Sequence, residues 1–331
     1  MHVSTLEWGI TIGVALAVLL LDVIIIAVRP HEPTFRECTI ALTIYVGLSV
    51  LFGVFVWQHH GADYGLQFFA GWLTEYSLSV DNLFIFLIIM ASFRVPRHQQ
   101  QEALLVGIVL ALVFRAVFIA LGAVAIAQFS WIFYLFGLFL VYTAVKLVGN
   151  TDHDDDAENA VVRLVRRHYR LADHWEGGLK LFVKENGVRL LTPMALVIVA
   201  LGTTDVLFAL DSIPAIYGLT REPYLVLTAN IFALMGLRQL YFLLGDLLKR
   251  LVFLSQGLAI LLAFIGVKLI LHALHENELP FINDGHHVNV PEISIGLSLG
   301  VIVGTLALTA IISLWWSAKH PDSIEPIEPI D

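Results

Sequence analysis

Residues 75–90 read EYSLSVDNLFIFLIIM. The second half is apolar enough for a bilayer, but the first half carries two carboxylates, Glu75 and Asp81, and the amide of Asn82. An ionised side chain at the bilayer centre costs about 2.5–3.5 kcal/mol on insertion scales. Groups of this kind inside a span face protein or a water-filled cavity and mark a functional site by default.

The remainder of the chain supports reading this stretch as a span. Its 331 residues are 58% hydrophobic and 14% charged, with a mean hydropathy of +0.82. A soluble domain averages roughly 25% charged. Apolar segments near the roughly 20 residues that a crossing helix needs lie at about 8–28, 38–57, 66–91, 103–125, 129–149, 192–216, 224–245, 251–273 and 294–316. The expected fold is an all-α polytopic membrane protein, one membrane domain over 1–331 with about nine transmembrane helices. The opening MHVSTLEWG has no Lys or Arg before its apolar run and no small-residue cleavage site follows, so it reads as a permanent span. The net charge of −9 says little about nucleic acid in such a chain, but no basic domain with interleaved aromatics appears, and no nucleic-acid partner is expected. The single Cys38 excludes an internal disulfide and any Cys-based metal site.

Most of the 19 basic residues fall in alternate loops: Arg29 and Arg36, Arg94 and Arg97, the run from Arg163 to Arg189, Lys249 and Arg250, and Lys319. The opposite loops hold only Arg221. The positive-inside rule then predicts the N-terminus outside and the C-terminus in the cytoplasm. Four bases remain within spans or near their ends: Arg115, Lys146, Arg238 and Lys268.

These bases reveal an internal repeat. RAVFIALG (115–122) and RQLYFLLG (238–245) share the pattern R-x-x-aromatic-x-x-L-G. AVKLV (144–148) is matched by GVKLI (266–270), and Glu75 with Asp81-Asn82 by Asp205 with Asp211-Ser212. Residues 66–149 thus form a first triplet of spans and 192–273 a second, in opposite orientation. The sequence therefore predicts an inverted repeat of 3+3 helices, a plan of secondary transporters in which the site lies near the midplane between the repeats.

In a helix Glu75, Ser79 and Asn82 share one face. Asp205 and Ser212 share another, with Asp211 displaced in the same sense as Asp81. A local unwinding would let both acids of each pair point inward; in the second triplet Pro214 cannot donate to the carbonyl of Leu210 and predicts such a break, which would free a carbonyl beside Asp211, whereas the span of Glu75 and Asp81 has no proline. Asn230 is a further candidate ligand. Carboxylate, amide and hydroxyl oxygens suit Mg²⁺, Ca²⁺ and Mn²⁺. The competing reading is mutual neutralisation of Glu75, Asp81, Asp205 and Asp211 by Arg115, Lys146, Arg238 and Lys268. The two are compatible, because a cation can compete with a base for the same carboxylates. The expected metal set is Glu75, Asp81, Asn82, Asp205, Asp211, Ser79, Ser212 and Asn230, with the four bases as charge pairs or gates. Asp22 lies outside the repeat and reads as a pairing residue.

Elsewhere the chain offers less chemistry. DHDDDAE (152–158) reads as a solvated acidic linker, and NAVVRLVRRHYRLA (159–172) as an amphipathic helix on the membrane surface, within a cytoplasmic loop spanning 150–191. The 274–292 loop is acidic and contains histidines. The tail at 317–331, ending IEPIEPID, reads as disordered. No phosphate loop, nucleophile elbow or H-E-x-x-H helix is present, so the expectation is a non-enzyme.

The motifs EYSLSVDNLF (75–84), FRAVFI (114–119), FVKENG (182–187), TDVLFALDSIPA (204–215) and NIFALMGLRQLYFLL (230–244) resemble the TerC family. That family takes its name from tellurium resistance, includes the Alx-type manganese exporters and is akin to the LysE-type exporter superfamily. The resemblance implies a bacterial inner-membrane protein exporting Mn²⁺ along the acidic motif residues. Many relatives carry a glutamate where this chain has Gly202. The expectation is a secondary transporter of divalent cations, most simply Mn²⁺ with Ca²⁺ as the alternative ion, possessing no permanently bound cofactor and driven by proton exchange. Its partners are the ion and the lipid bilayer. The rival readings are a membrane scaffold for metal loading or assembly of exported proteins, and a tellurium-resistance component without transport.

Overall fold

The computed structural model describes residues 1, 3–28, 34–129, 131–149, 162, 165, 167, 172, 175, 179–185, 188–244, 251–277, 279–280 and 282–320. The acidic run at 152–158, most of 159–172 and the tail beyond 320 lie outside them, as do the side chains of Asp22 and Asp81.

Among the described residues ten α-helices follow in chain order: α1 (Thr5–Val28), α2 (Phe35–His60), α3 (Ala62–Ser92), α4 (Arg97–Gln128), α5 (Ile132–Gly149), α6 (Pro193–Tyr217), α7 (Pro223–Leu234), α8 (Leu237–Leu244), α9 (Leu254–His275) and α10 (Ile295–Lys319). One antiparallel hairpin, β1 (Phe182–Glu185) and β2 (Val188–Leu191), precedes α6. The hairpin lies in the loop expected at 150–191, downstream of the amphipathic segment expected at 159–172, and the sequence reading includes no strand there. Helix starts are set by local chemistry. Thr34 and Glu37 form a capping box before α2, and Thr192 caps α6 just ahead of Pro193. Gly61, at φ 107°, turns α2 directly into α3.

Among the described residues seven stretches are long and apolar enough to cross a membrane: Phe35–His60, Ala62–Ser92, Gln99–Gln128, Pro193–Tyr217, Pro223–Leu243, Leu254–His275 and Ile295–Lys319. The first and fifth of the expected nine spans are shorter among the described residues, at Thr5–Val18 and Ile132–Val148. Polarity is inverted relative to a soluble helix. Along α4, Val109, Val113, Val117, Leu121 and Val124 face outward, whereas Arg115 is buried. Trp315 and Trp316 lie near the end of α10, with the Lys319 ammonium 4.0 Å from the Trp315 ring, an arrangement typical of an interfacial belt.

Two expected details are corrected. Pro214 does not break its helix, because it sits in the final turn of α6 and the helix persists only to Tyr217. The break falls instead within the single span expected at 224–245. There Met235 is extended (ψ 126°) and Gly236 adopts φ 86°, a conformation that glycine takes without steric cost.

Packing pairs α3 with α7, α4 with α6, and α5 with α9. The last pair crosses at two glycines. A Cβ on Gly137 would lie 2.8 Å from the Gly266 carbonyl oxygen and 3.1 Å from the Ile270 nitrogen. A Cβ on Gly266 would lie 2.8 Å from the Gly137 carbonyl oxygen and 3.1 Å from the Val141 nitrogen. Small residues let backbones approach where lipid supplies no hydrophobic drive for association. The contacts are reciprocal: Gly137 meets Gly266 and Ile270, and Gly266 meets Gly137 and Val141.

At one end of the bundle Arg221 donates to Glu276 at 2.5 Å and lies 4.6 Å over the Phe133 ring, joining the segment after α6 to α5 and the end of α9. Burial pushes the Glu276 carboxyl up, but the hydrogen bond and charge of Arg221 outweigh it and hold the group below its ordinary 4.5.

Two predictions follow from these contacts. Gly137→Ala and Gly266→Ala should each lower stability by about 1–3 kcal/mol. The double variant should lose less than the sum, because both act on one contact; thermal unfolding in detergent measures this. A carboxyl held below its free value contributes stability above that value and loses it in acid. The melting-temperature gap between the wild type and Glu276→Gln should therefore close as pH falls below 4.5.

Candidate functional site

Four helices bring polar side chains together inside the bundle. Glu75 comes from α3, Arg115 from α4, Asp205 from α6 and Asn230 from α7, with exposures of 0%, 1%, 2% and 1%. Asp205 is the middle residue of α6. The Arg115 guanidinium forms an ion pair with Glu75 through Nη1. Its Nη2 donates to Asp205 Oδ1 at 3.3 Å and its Nη1 to Asn230 Oδ1 at 3.0 Å. Asn230 Nδ2 donates to the Val226 carbonyl at 3.1 Å, which fixes the amide with its oxygen toward the arginine.

Apolar clusters surround this centre. Leu83, Phe86, Leu104, Ile108, Leu196 and Leu201 pack on one side. Phe68, Trp72, Tyr224 and Ala229 pack on another, and Ile119, Ala209 and Ile213 on a third. In such surroundings a charge interacts strongly and is costly to leave unpaired. Among the described residues two carboxylates meet one guanidinium, a formal negative excess. Among the described residues Asp205 Oδ2, Glu75 Oε2 and Arg115 Nε have no hydrogen-bond partner. The buried hydroxyls of Ser79 and Ser212, and of Thr74 and Ser77, which the sequence reading did not single out, are in the same condition.

The expected stripe of Glu75, Ser79 and Asn82 is buried as a unit. Asp211 stands elsewhere. It is half-buried and accepts from Thr143 Oγ1 of α5 at 3.1 Å. The unbroken α6 keeps it off the face of Asp205, because six residues turn a helix by about 600°. The four acids therefore do not share one cavity through unwinding at Pro214. Thr143 was not flagged by the sequence; its only signal is a hydroxyl in an apolar helix. Lys146 is exposed, Lys268 is half-buried, and Arg238 is buried on α8 among residues that include Leu16, Tyr45 and Leu105. A cavity of about 440 Å³ between α4, α5 and α6 is apolar, lined by Phe118, Phe136, Phe139 and Pro214 among others, and contains none of the expected ligands. Among the described residues no three His, Cys, Asp or Glu side chains are gathered as a metal site.

Removing the guanidinium should be more damaging than removing any single contact to it. Arg115→Ala leaves two buried carboxylates against no cation and should cost about 3–5 kcal/mol. Adding Glu75→Gln and Asp205→Asn to that background should recover part of the loss; thermal unfolding in detergent reads both.

The model of the family described as "Integral membrane protein TerC family" matches residues 60–321. A membrane protein of Mycobacterium tuberculosis is 46% identical over 320 residues, 95% of this chain and 80% of the relative. Proteins named membrane-bound redox modulator Alx are 37% identical in Photorhabdus laumondii, covering 94% of this chain and 95% of the relative, and 36% identical in Escherichia coli, covering 96% and 97%. No solved structure matches the chain. With its apolar helices and this extent of likeness, the chain is a multi-pass integral membrane protein belonging to the TerC family.

Proposed function

We propose that the protein is a secondary transporter that exports divalent metal ions, Mn²⁺ foremost, across the bacterial cytoplasmic membrane. The observation that carries this reading is the buried centre in which Glu75 and Asp205 are bridged by Arg115 and Asn230, with one carboxylate more than the guanidinium neutralises. A centre needed only for packing would be better served by a neutral balance or by apolar residues. The excess charge and the unpartnered oxygens of Glu75, Asp205, Ser79 and Ser212 suit a hard cation. In this reading Arg115 holds the carboxylates together until an ion competes for them. Asn82 extends the oxygen set along α3, Asp81 joins it on the sequence reading alone, and Asp211 with Thr143 forms a second station along the path. The N-terminus lies outside and the C-terminus in the cytoplasm.

Two further parts belong to the proposal. The triplets α3–α5 and α6–α9 act as inverted repeats, and α1 and α5 complete the membrane passes to about nine. The reciprocal crossing of Gly137 and Gly266 and the exchanged packing of α3 on α7 and α4 on α6 support this. Export is coupled to proton entry at the same carboxylates. A negative interior opposes exit of each positive charge by about 2.3 kcal/mol per 100 mV, and the sequence holds no phosphate loop to drive export. The name redox modulator borne by the Alx relatives finds no dithiol here, since Cys38 is the single cysteine.

Mn²⁺ flux in proteoliposomes tests the reading. Glu75→Gln and Asp205→Asn should each reduce flux by at least the roughly 10–100-fold that loss of even an outer-sphere partner costs a metal site. Folded, inserted variants that still carry Mn²⁺ at the wild-type rate overturn the transport site and favour a scaffold. Flux indifferent to an imposed pH gradient removes proton exchange alone, and Ca²⁺ that outcompetes Mn²⁺ changes the ion.

A further inference from the structure

The motif FVKENG (182–187) plays no part in the transport site, and the structure gives it a form of its own. Its residues 182–185 make the first strand of the hairpin, with Phe182 opposite Leu191 and Lys184 opposite Arg189. Phe182 and Lys184 lie on one face by the two-residue period of a strand. Two cations thus stand directly across from each other, a pairing that destabilises a sheet. Arg189 is partly accommodated by the Phe182 ring, 5.0 Å from its guanidinium carbon. Both basic side chains are exposed. So are three large apolar ones beside them: Leu179 at 44%, Leu181 at 43% and Phe182 at 45%.

The hairpin is fastened to the end of a membrane helix. Thr192 donates through its backbone to the Leu181 carbonyl at 3.1 Å and through its hydroxyl to the Lys180 carbonyl at 2.6 Å. The same hydroxyl accepts from Ala195 as the cap of α6. Leu181 and Phe182 therefore sit at the level where α6 begins. Lys184 lies two residues beyond Phe182, about 7 Å along the strand, with Arg189 opposite it. Apolar groups at the helix end with cations one step along the hairpin suit the order of acyl boundary and headgroup.

We propose that this hairpin docks on the anionic phospholipid headgroups of the leaflet that α6 enters. Lys184 and Arg189 bind the phosphate groups, and Leu179, Leu181 and Phe182 insert beneath them. The repulsion between the two cations is relieved by the anion they share. This role is independent of the ion carried through the bundle.

Amide hydrogen exchange of residues 180–191 in nanodiscs tests the proposal on the full chain. Replacing phosphatidylcholine discs by discs containing phosphatidylglycerol should slow exchange on the order of tenfold. Raised salt should reverse the effect. The double variant Lys184→Gln/Arg189→Gln should lose the lipid dependence, and the charge-preserving swap Lys184→Arg/Arg189→Lys should keep it. The swap also controls for the hairpin's folding. Equal exchange in both lipids overturns the proposal. Equal protection by inorganic phosphate in phosphatidylcholine discs overturns it too, since the ligand is then a soluble anion rather than the membrane.

Discussion

The bundle is organised around the contact of one guanidinium with two carboxylates. Arg115 draws Glu75 of α3, Asp205 of α6 and Asn230 of α7 toward α4, so four helices meet at one polar centre. In lipid, apolar surface alone gives helices little reason to associate, and interhelical polar contacts and close backbone packing take over. The protein uses both. The charged centre fixes α3, α4, α6 and α7, and the glycine crossing of Gly137 with Gly266 fixes α5 against α9. The first holds because a bare charge in such surroundings is costly. The second holds because the crossing has no room for even a methyl group.

The charged residues were legible in the sequence because the cost of burying a charge is a local property. Glu75, Arg115, Asp205 and Asn230 stood out from apolar runs without knowledge of the fold. Their partnership was not legible. Arg115 and Asp205 are 90 residues apart and Arg115 and Asn230 are 115 apart, and no sequence spacing says which base meets which acid. Asp205 and Asp211 look like one motif in the sequence, yet an intact helix sends them to different neighbours. The helix break was misplaced for a related reason. Proline signals a lost hydrogen bond wherever it occurs, but in a final turn little helix remains to be broken. Gly236 gives a weaker signal in sequence and has the larger structural effect, because only the fold reveals that its φ is positive.

The glycine crossing was not legible in the sequence. Gly137 and Gly266 lie in apolar runs that read as spans, and a glycine in such a run carries no sign of the helix it will meet. Small residues permit close approach of backbones, but which pair approaches is decided by where the fold sets the two helices.

The difference between the two arginines has a physical consequence. α4 runs unbroken through Arg115, which delivers the guanidinium to the centre. The segment bearing Arg238 is interrupted at Met235–Gly236, two residues earlier, and α8 packs on α2. Arg238 there borders a cleft with Leu16, Leu20 and Tyr45. The two arginine motifs read alike in the sequence, yet the positive φ of Gly236 redirects the chain just ahead of the second, while the intact α4 carries the first into the centre. A matched motif says which residues are alike, not where the backbone takes them.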